Sequence, residues 1–267
     1  MSYEYPQPTI PHPQVGNTKM LSDFLGDLFT MGCLKGFRFF ELYLRGREEL
    51  LLQVYRQGDR GAKKPAPSKA FQIAKAQKSS GISHRTQKQM KLMPSGPMLP
   101  ATTPLDHDLQ RDQTRTAFLI AGYARYKRPY VWLRSNHKEL LKLEIDSTSN
   151  KDADNPLKLD SIAQWKANEV KVWDVIAEIV TLTQDPAPIN PFAINHDFFD
   201  SLPVEECVFA TGALISVLQK IYLSNVPYAD QVMSDIQQLH QRHFTDFGEL
   251  VELQLMQKQA PKPNRFN

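Results

Sequence analysis

No aspartate or glutamate occurs between Arg60 and Leu105, a stretch that carries Arg60, Lys63, Lys64, Lys69, Lys75, Lys78, Arg85, Lys88 and Lys91. Cysteine is almost as scarce, with only Cys33 and Cys207 in 267 residues. Two thiols so far apart, each among apolar neighbours, exclude a disulfide framework and a zinc knuckle, and they read as buried thiols in a reducing compartment. The opening Met-Ser-Tyr-Glu-Tyr-Pro lacks both a basic and an apolar leader region, so no secretory signal is expected. Phe24 to Leu44, the longest apolar-rich stretch, is interrupted by Asp27, Lys35, Arg38 and Glu41, too many charges for a membrane span. Also lacking are a glycine-rich phosphate loop, a dinucleotide fingerprint and a paired-carboxylate motif. The expectation is a cytoplasmic, non-catalytic protein with no cofactor, no metal and no membrane partner.

What is present is an ordinary globular composition, 41% hydrophobic and 23% charged, long enough for a real core. Nine positive charges in the acid-free stretch against a formal total of +3 leave the rest of the chain at −6. Basicity is therefore concentrated in one insert within a mildly acidic body.

The pattern along the chain predicts a mainly α fold, a helical C-terminal bundle with room for one or two short β-hairpins at 36–57 and 130–145. Residues 1–17, with Pro6, Pro8, Pro11 and Pro13, read as a proline-rich extended arm. Residues 18–58 form an N-terminal helical or mixed segment. Leu21, Phe24, Leu25, Leu28 and Phe29 recur at helical spacing, and Gly36 to Gln57 is either a hairpin turning at Arg45-Gly46 or a helix over 41–55. Helix is favoured there because Leu50-Leu51-Leu52 does not alternate. Residues 59–105 are the basic acid-free segment, 106–257 a helical domain and 258–267 a tail. Within the helical domain the pattern predicts a helix over 106–126, a hairpin joining 130–134 to 140–145, and one stripe through Ile162, Trp165, Val172, Trp173, Ile176, Ile179 and Val180. Further helices are predicted over 202–223, from 228 to about 244, and over 247–257.

Two constellations point toward nucleic acid. Lysines and arginines that displace condensed counterions suit a phosphate backbone, though they carry no base specificity by themselves. Lys63, Lys64, Lys69, Lys75, Lys78, His84, Arg85, Lys88 and Lys91 are the candidate contacts in the basic segment. Gly81-Ile82-Ser83 followed by Thr86 partly resembles a helix-turn-helix, which would place Ser83, His84, Arg85, Gln87 and Lys88 in a major groove. Gln77 and Gln87 stand where that motif wants a small and a buried residue, so a flexible or partly helical basic arm is preferred. The second constellation is Tyr123, Arg125, Tyr126, Lys127, Arg128, Tyr130, Trp132 and Arg134, where rings able to stack on unpaired bases alternate with cations able to hold phosphates. Its bland counterpart, core aromatics beside a solvated helix end, is weighted above it.

His240 and His243, with Asp246 and Glu249, could be drawn as a metal site, but no further ligand of recognised spacing follows and surface histidines are preferred. Asp106-His107-Asp108 points in different directions on a helix. His196-Asp197 lacks a placed nucleophile, and Trp165 with Trp173 reads as core. The function expected is a binding subunit that contacts DNA or RNA through residues 60–91, in company with other protein subunits. A structural or adaptor subunit of a large assembly ranks second, and a hydrolase or metal-dependent enzyme last.

Overall fold

The computed structural model describes residues 15–55, 114–135, 156–165 and 169–259. The basic segment, residues 1–14, the 106–113 part of the predicted helix and the 140–145 half of the second hairpin lie outside them.

Helix α1 (Val15–Gly32) buries Leu21, Phe24, Leu28 and Met31 at spacings of three and four. Phe29, read as part of that stripe, is 56% exposed, so the inward face is narrower than the sequence suggested. Gly32 ends the helix where a side chain would collide with Leu44 and Leu50.

Next come strands β1 (Phe40–Leu44) and β2 (Glu49–Tyr55), paired antiparallel with Phe40 opposite Val54 and Leu44 opposite Leu50. This corrects the preference for a helix over 41–55. Gly46, at φ 114°, supplies the left-handed turn, and the Arg45 amide closes it by donating to the Glu49 carbonyl at 3.0 Å.

Strand β3 (Arg115–Ala121) corrects the second helix, since residues predicted helical within 106–126 form a strand between β2 and β4 (Tyr130–Leu133). Among the described residues β4 pairs with β3, with Ile120 opposite Val131 and Ala121 opposite Tyr130. The four strands follow chain order and all pairs are antiparallel. Tyr55 and Arg115, which flank the long basic interval, are register partners.

Alternation divides the sheet into two faces. Phe40, Leu42, Leu50, Leu52, Val54, Phe118, Ile120 and Val131 join the main core, on which α1 and α3 (Val172–Thr183) rest. The opposite face carries Glu41, Tyr43, Leu51, Gln53, Ala117 and Leu119, and its apolar members are buried too.

The stripe predicted through Trp165 and Trp173 is divided among α2 (Asp160–Ala163), the turn after it that holds Trp165, and α3, which corrects the continuous reading. Both tryptophans are buried, and Trp165 meets Phe24 edge-on at 5.5 Å. Glu178 accepts from the Asp160 and Ser161 amides at 2.7 and 3.0 Å and so caps α2 from α3. Asp174 likewise turns inward to accept from the Lys171 amide at 2.8 Å, and burial holds its carboxyl above the usual range.

After α4 (His196–Asp200), α5 (Val204–Leu223) and α6 (Ala229–Gln259) form an antiparallel pair. The break predicted between 244 and 247 does not occur, and α6 runs through Gly248 without interruption. Among the described residues α5 is long and apolar enough to cross a membrane by length and composition, a stretch that reading the sequence passed over. Here Cys207, Leu214, Leu218 and Ile221 along it belong to the same core as Val232, Ile236 and Leu239 of α6.

Candidate nucleic-acid interface

The chain leaves β3 through Gly122, where a Cβ would sit 2.9 Å from Leu25 and 3.3 Å from Leu21, so α1 leaves no room for a side chain. A short 3₁₀ turn over Ala124–Tyr126 follows, and Lys127 adopts the left-handed conformation at φ 56°. The Lys127 carbonyl accepts from the Trp165 indole at 3.1 Å, and Pro129 is buried. These contacts fasten an exposed turn to the core at both of its ends.

Four rings gather on it. Tyr126 meets Tyr130 at 5.2 Å between centroids, Tyr130 meets Trp132 at 5.8 Å, Trp132 meets Tyr123 at 6.2 Å, and Tyr123 returns to Tyr126 at 6.1 Å. The Arg125 guanidinium lies 4.5 Å from the Tyr126 centroid and 5.5 Å from that of Tyr123. Arg128 lies 4.7 Å from the Tyr130 centroid and donates from Nε to the Tyr130 hydroxyl at 2.9 Å. Arg125, Tyr126, Lys127 and Arg128 are exposed, while Tyr123, Tyr130, Trp132 and Arg134 are half-buried. The helix end proposed as their bland setting is absent; they sit on a turn between strands. Among the described residues Arg125, Lys127, Arg128 and Arg134 form no ion pair. Tyr123 donates its hydroxyl to Glu49; burial first and that bond second push the phenol up to about 12, against the pull of Arg134 and Arg125. Tyr123 is therefore a neutral anchor at physiological pH, and Tyr126, 44% exposed, is the ring open to a ligand.

A second polar cluster, missed in the sequence, occupies the opposite sheet face. Arg115 donates from Nη1 to Glu41 at 2.6 Å and to Gln53 at 3.0 Å, and Tyr43 donates its hydroxyl to Glu41 at 2.6 Å. The Arg115 guanidinium also stands 5.0 Å from the Tyr55 ring centre. Burial, with Glu41 second, holds both phenols well above their ordinary range. The cation is thus spent inside the fold. The available signal was Glu41 and Tyr43 alternating with Phe40, Leu42 and Leu44.

The remaining candidates separate. Lys63, Lys64, Lys69, Lys75, Lys78, His84, Arg85, Lys88 and Lys91 lie outside the described residues, as does Asp106-His107-Asp108. His240 stacks on Phe244 at 6.1 Å, whereas His243 turns to Thr211, with Nδ1 2.9 Å from the hydroxyl. Asp246 accepts from the Cys207 thiol at 2.8 Å and pairs with Arg242 at 3.3 Å, so these side chains do not converge. Burial, then Asp246, pushes Cys207 up to about 11, leaving a thiol that is protonated at neutral pH. Among the described residues no group of three or more metal-ligating side chains is found.

A family model described as "Domain of unknown function (DUF7886)" matches residues 103–245, more than half of the sequence. The chain belongs to the DUF7886 family. Neither the curated proteins nor the solved structures contain a match. The DUF7886 span includes β3, the four-ring turn and β4, and ends about halfway along α6. It leaves out α1 and the β1–β2 hairpin, although β2 is hydrogen-bonded to β3 within one sheet. The DUF7886 segment of this chain therefore shares its sheet with residues outside the match.

Proposed function

We propose that this protein is a non-catalytic nucleic-acid-binding subunit that holds the phosphate backbone with its basic segment, residues 60–91, and with the turn between β3 and β4. One observation carries the reading: an exposed turn, fastened to the core, presents rings in edge-to-face contact beside arginines with no carboxylate partner among the described residues. Rings give a sequence-tolerant platform for unpaired bases, and unneutralised cations recover counterion entropy from phosphates. The acid-free run from Arg60 to Leu105 adds charge of the same sign in the same chain.

The test uses the full chain, freed of co-purifying nucleic acid, titrated into fluorescent single-stranded and duplex oligonucleotides over a range of potassium chloride. Affinity should fall steeply and linearly on a log–log scale, and it should collapse when Lys63, Lys64, Lys75, Lys78, Arg85, Lys88 and Lys91 are neutralised together. Binding that is absent at low salt, or that ignores salt, rejects the reading. A second reading, a structural or adaptor subunit, draws on apolar side chains left exposed along α6, among them Phe244 and Phe247. Protein partners that persist through nuclease treatment during purification would favour it.

A further inference from the structure

Helix α6 outruns its partner. It has 31 residues against 20 in α5, or about 46 Å against about 30 Å at 1.5 Å per residue. Contacts between the two run in opposite directions, His243 beside Thr211 and Asp246 beside Cys207, so α5 begins at Val204 roughly level with Glu249. Beyond that point the sequence stays apolar, with Leu250, Val251, Leu253, Leu255 and Met256, and every residue from Val251 to Met256 is exposed. A projecting helix of this length has little stability of its own in water, because helices this short owe their persistence to a packed apolar face.

The exposed residues include an ordered stripe. Phe244, Phe247, Val251 and Leu255 recur at spacings of three and four, and are 69%, 51%, 40% and 50% exposed. They lie about a quarter of a turn away from the line of Val232, Ile236, Leu239 and His243 that faces α5. Among the described residues the stripe therefore lies off the α5 contact, and its one ring contact is that of Phe244 with His240 and His243 of the same helix. Gly248 sits inside it, and a Cβ added there would meet nothing within 4 Å. Among the described residues nothing requires glycine at that place.

We propose that this stripe is the interface of a homodimer, in which two copies of α6 pack antiparallel across a two-fold axis. In that register Phe244 of one copy faces Leu255 of the other, and Gly248 faces Val251. The absent side chain at Gly248 gives Val251 a hollow to fill, so the two backbones approach closely. Asp246, Glu249 and Glu252 then stand opposite Leu253, Leu250 and Phe247, and no pair of carboxylates is brought directly face to face. A symmetric contact suits a patch that is complementary to itself. The four side chains leave on the order of 450 Å² of apolar surface per copy, which doubles in the pair and, with flanking atoms, reaches roughly the 1,200 Å² at which specific interfaces begin. The stripe runs past Thr245, where the family match ends, so it is proposed for this chain and not for DUF7886 at large.

Sedimentation equilibrium of the full chain, nuclease-treated and in high salt so that nucleic acid cannot bridge copies, decides the matter independently of the functional reading. The weight-average mass should climb with concentration toward twice 30.5 kDa. Val251→Lys should hold it at the single-chain mass with an unchanged circular dichroism spectrum. Gly248→Leu discriminates further: its Cβ would meet nothing within 4 Å among the described residues while its side chain fills the hollow, so it should raise the dimer dissociation constant about tenfold or more, whereas a merely sticky face would associate more strongly. Three results overturn the proposal: a wild type that stays monomeric up to roughly 100 µM, a Gly248→Leu variant that pairs as well as wild type, or a Val251→Lys variant that still dimerises.

Discussion

Replacing Arg125, Lys127 and Arg128 together by glutamine separates charge from fold at the proposed interface. All three are exposed and make no ion pair among the described residues, so neutralising them strands no carboxylate there. The turn itself is kept by the Trp165 indole, by buried Pro129 and by the crowding at Gly122. The folding cost is then mainly the lost contacts of Arg125 and Arg128 with tyrosine rings, about 0.5–1 kcal/mol each at exposed sites. For binding, each phosphate contact on a single strand contributes about 0.7 to the slope of log affinity against log salt, so losing three should lower that slope by roughly 2 and weaken binding by roughly 100-fold near 0.1 M salt. Fluorescence anisotropy with a labelled oligothymidylate across a salt series measures both quantities, after thermal melts establish that the variant is folded. Tyr126→Ala supplies the contrast: stacking is worth about 1–3 kcal/mol per base, so affinity should drop while the salt slope stays put. A triple variant with an unchanged slope would refute the assignment of this turn to phosphate contact.

Other outcomes test the fold around the interface. Gly36→Ala should destabilise by about 2–4 kcal/mol in denaturant titrations, because φ is 98° and the new Cβ would lie 2.6 Å from Phe199; a loss below 1 kcal/mol would mean that this approach is looser than described. In the Glu41–Arg115 pair the Arg115 side chain is 14% exposed and the Glu41 side chain 35%. Glu41→Leu, which takes the carboxylate from the more buried cation, should therefore cost about 2–3 kcal/mol and Arg115→Met nearer about 1, and the reverse order would contradict the argument. Asp235 accepts from Asn190 at 2.8 Å, yet burial outweighs that bond and the pull of His196 and holds its carboxyl above the ordinary 3.8. The folded state then binds the proton more readily than the unfolded state does, so this group makes stability fall as pH rises above about 4, and the penalty is absent below the unfolded value. Asp235→Asn should flatten that part of the pH–stability curve in urea titrations, and an unaltered curve would discount burial as the cause.

The helices with one buried face were legible from spacing alone. α1 was read from Thr18 and begins at Val15, and α5 was placed over 202–223 against an observed start at Val204. The strands were not legible, for one shared reason. In β2 Leu50, Leu51 and Leu52 are all fully buried, the outer ones in the main core and Leu51 against Tyr43 and Ala117 on the other face. In β3 every residue from Thr116 to Ala121 is buried. A strand covered on both sides loses the alternation that identifies it, and Leu119, Ile120 and Tyr123 then fit a helical spacing by coincidence. The run through Trp165 and Trp173 failed differently, because two helices buried against a common core preserve a stripe across the break between them. Of the interface, residues 123–134 were singled out by the alternation of rings and cations. What the sequence did not reveal was that a turn, and not a helix end, carries them. The Glu41–Arg115 pair joins residues 74 positions apart, beyond the reach of any local pattern.

Because Tyr55 and Arg115 share one rung of the ladder, the chain leaves the sheet for the long cationic interval and returns to it at a single point. The tyrosine-bearing turn hangs from the far end of β3, seven residues along, a separation of roughly 20 Å. A polyanion that reached both that point and the turn would have to travel the length of that strand. Short oligomers able to reach one station but not the other should accordingly lose affinity in a step, and the length at which the step falls measures the spacing of the two grips.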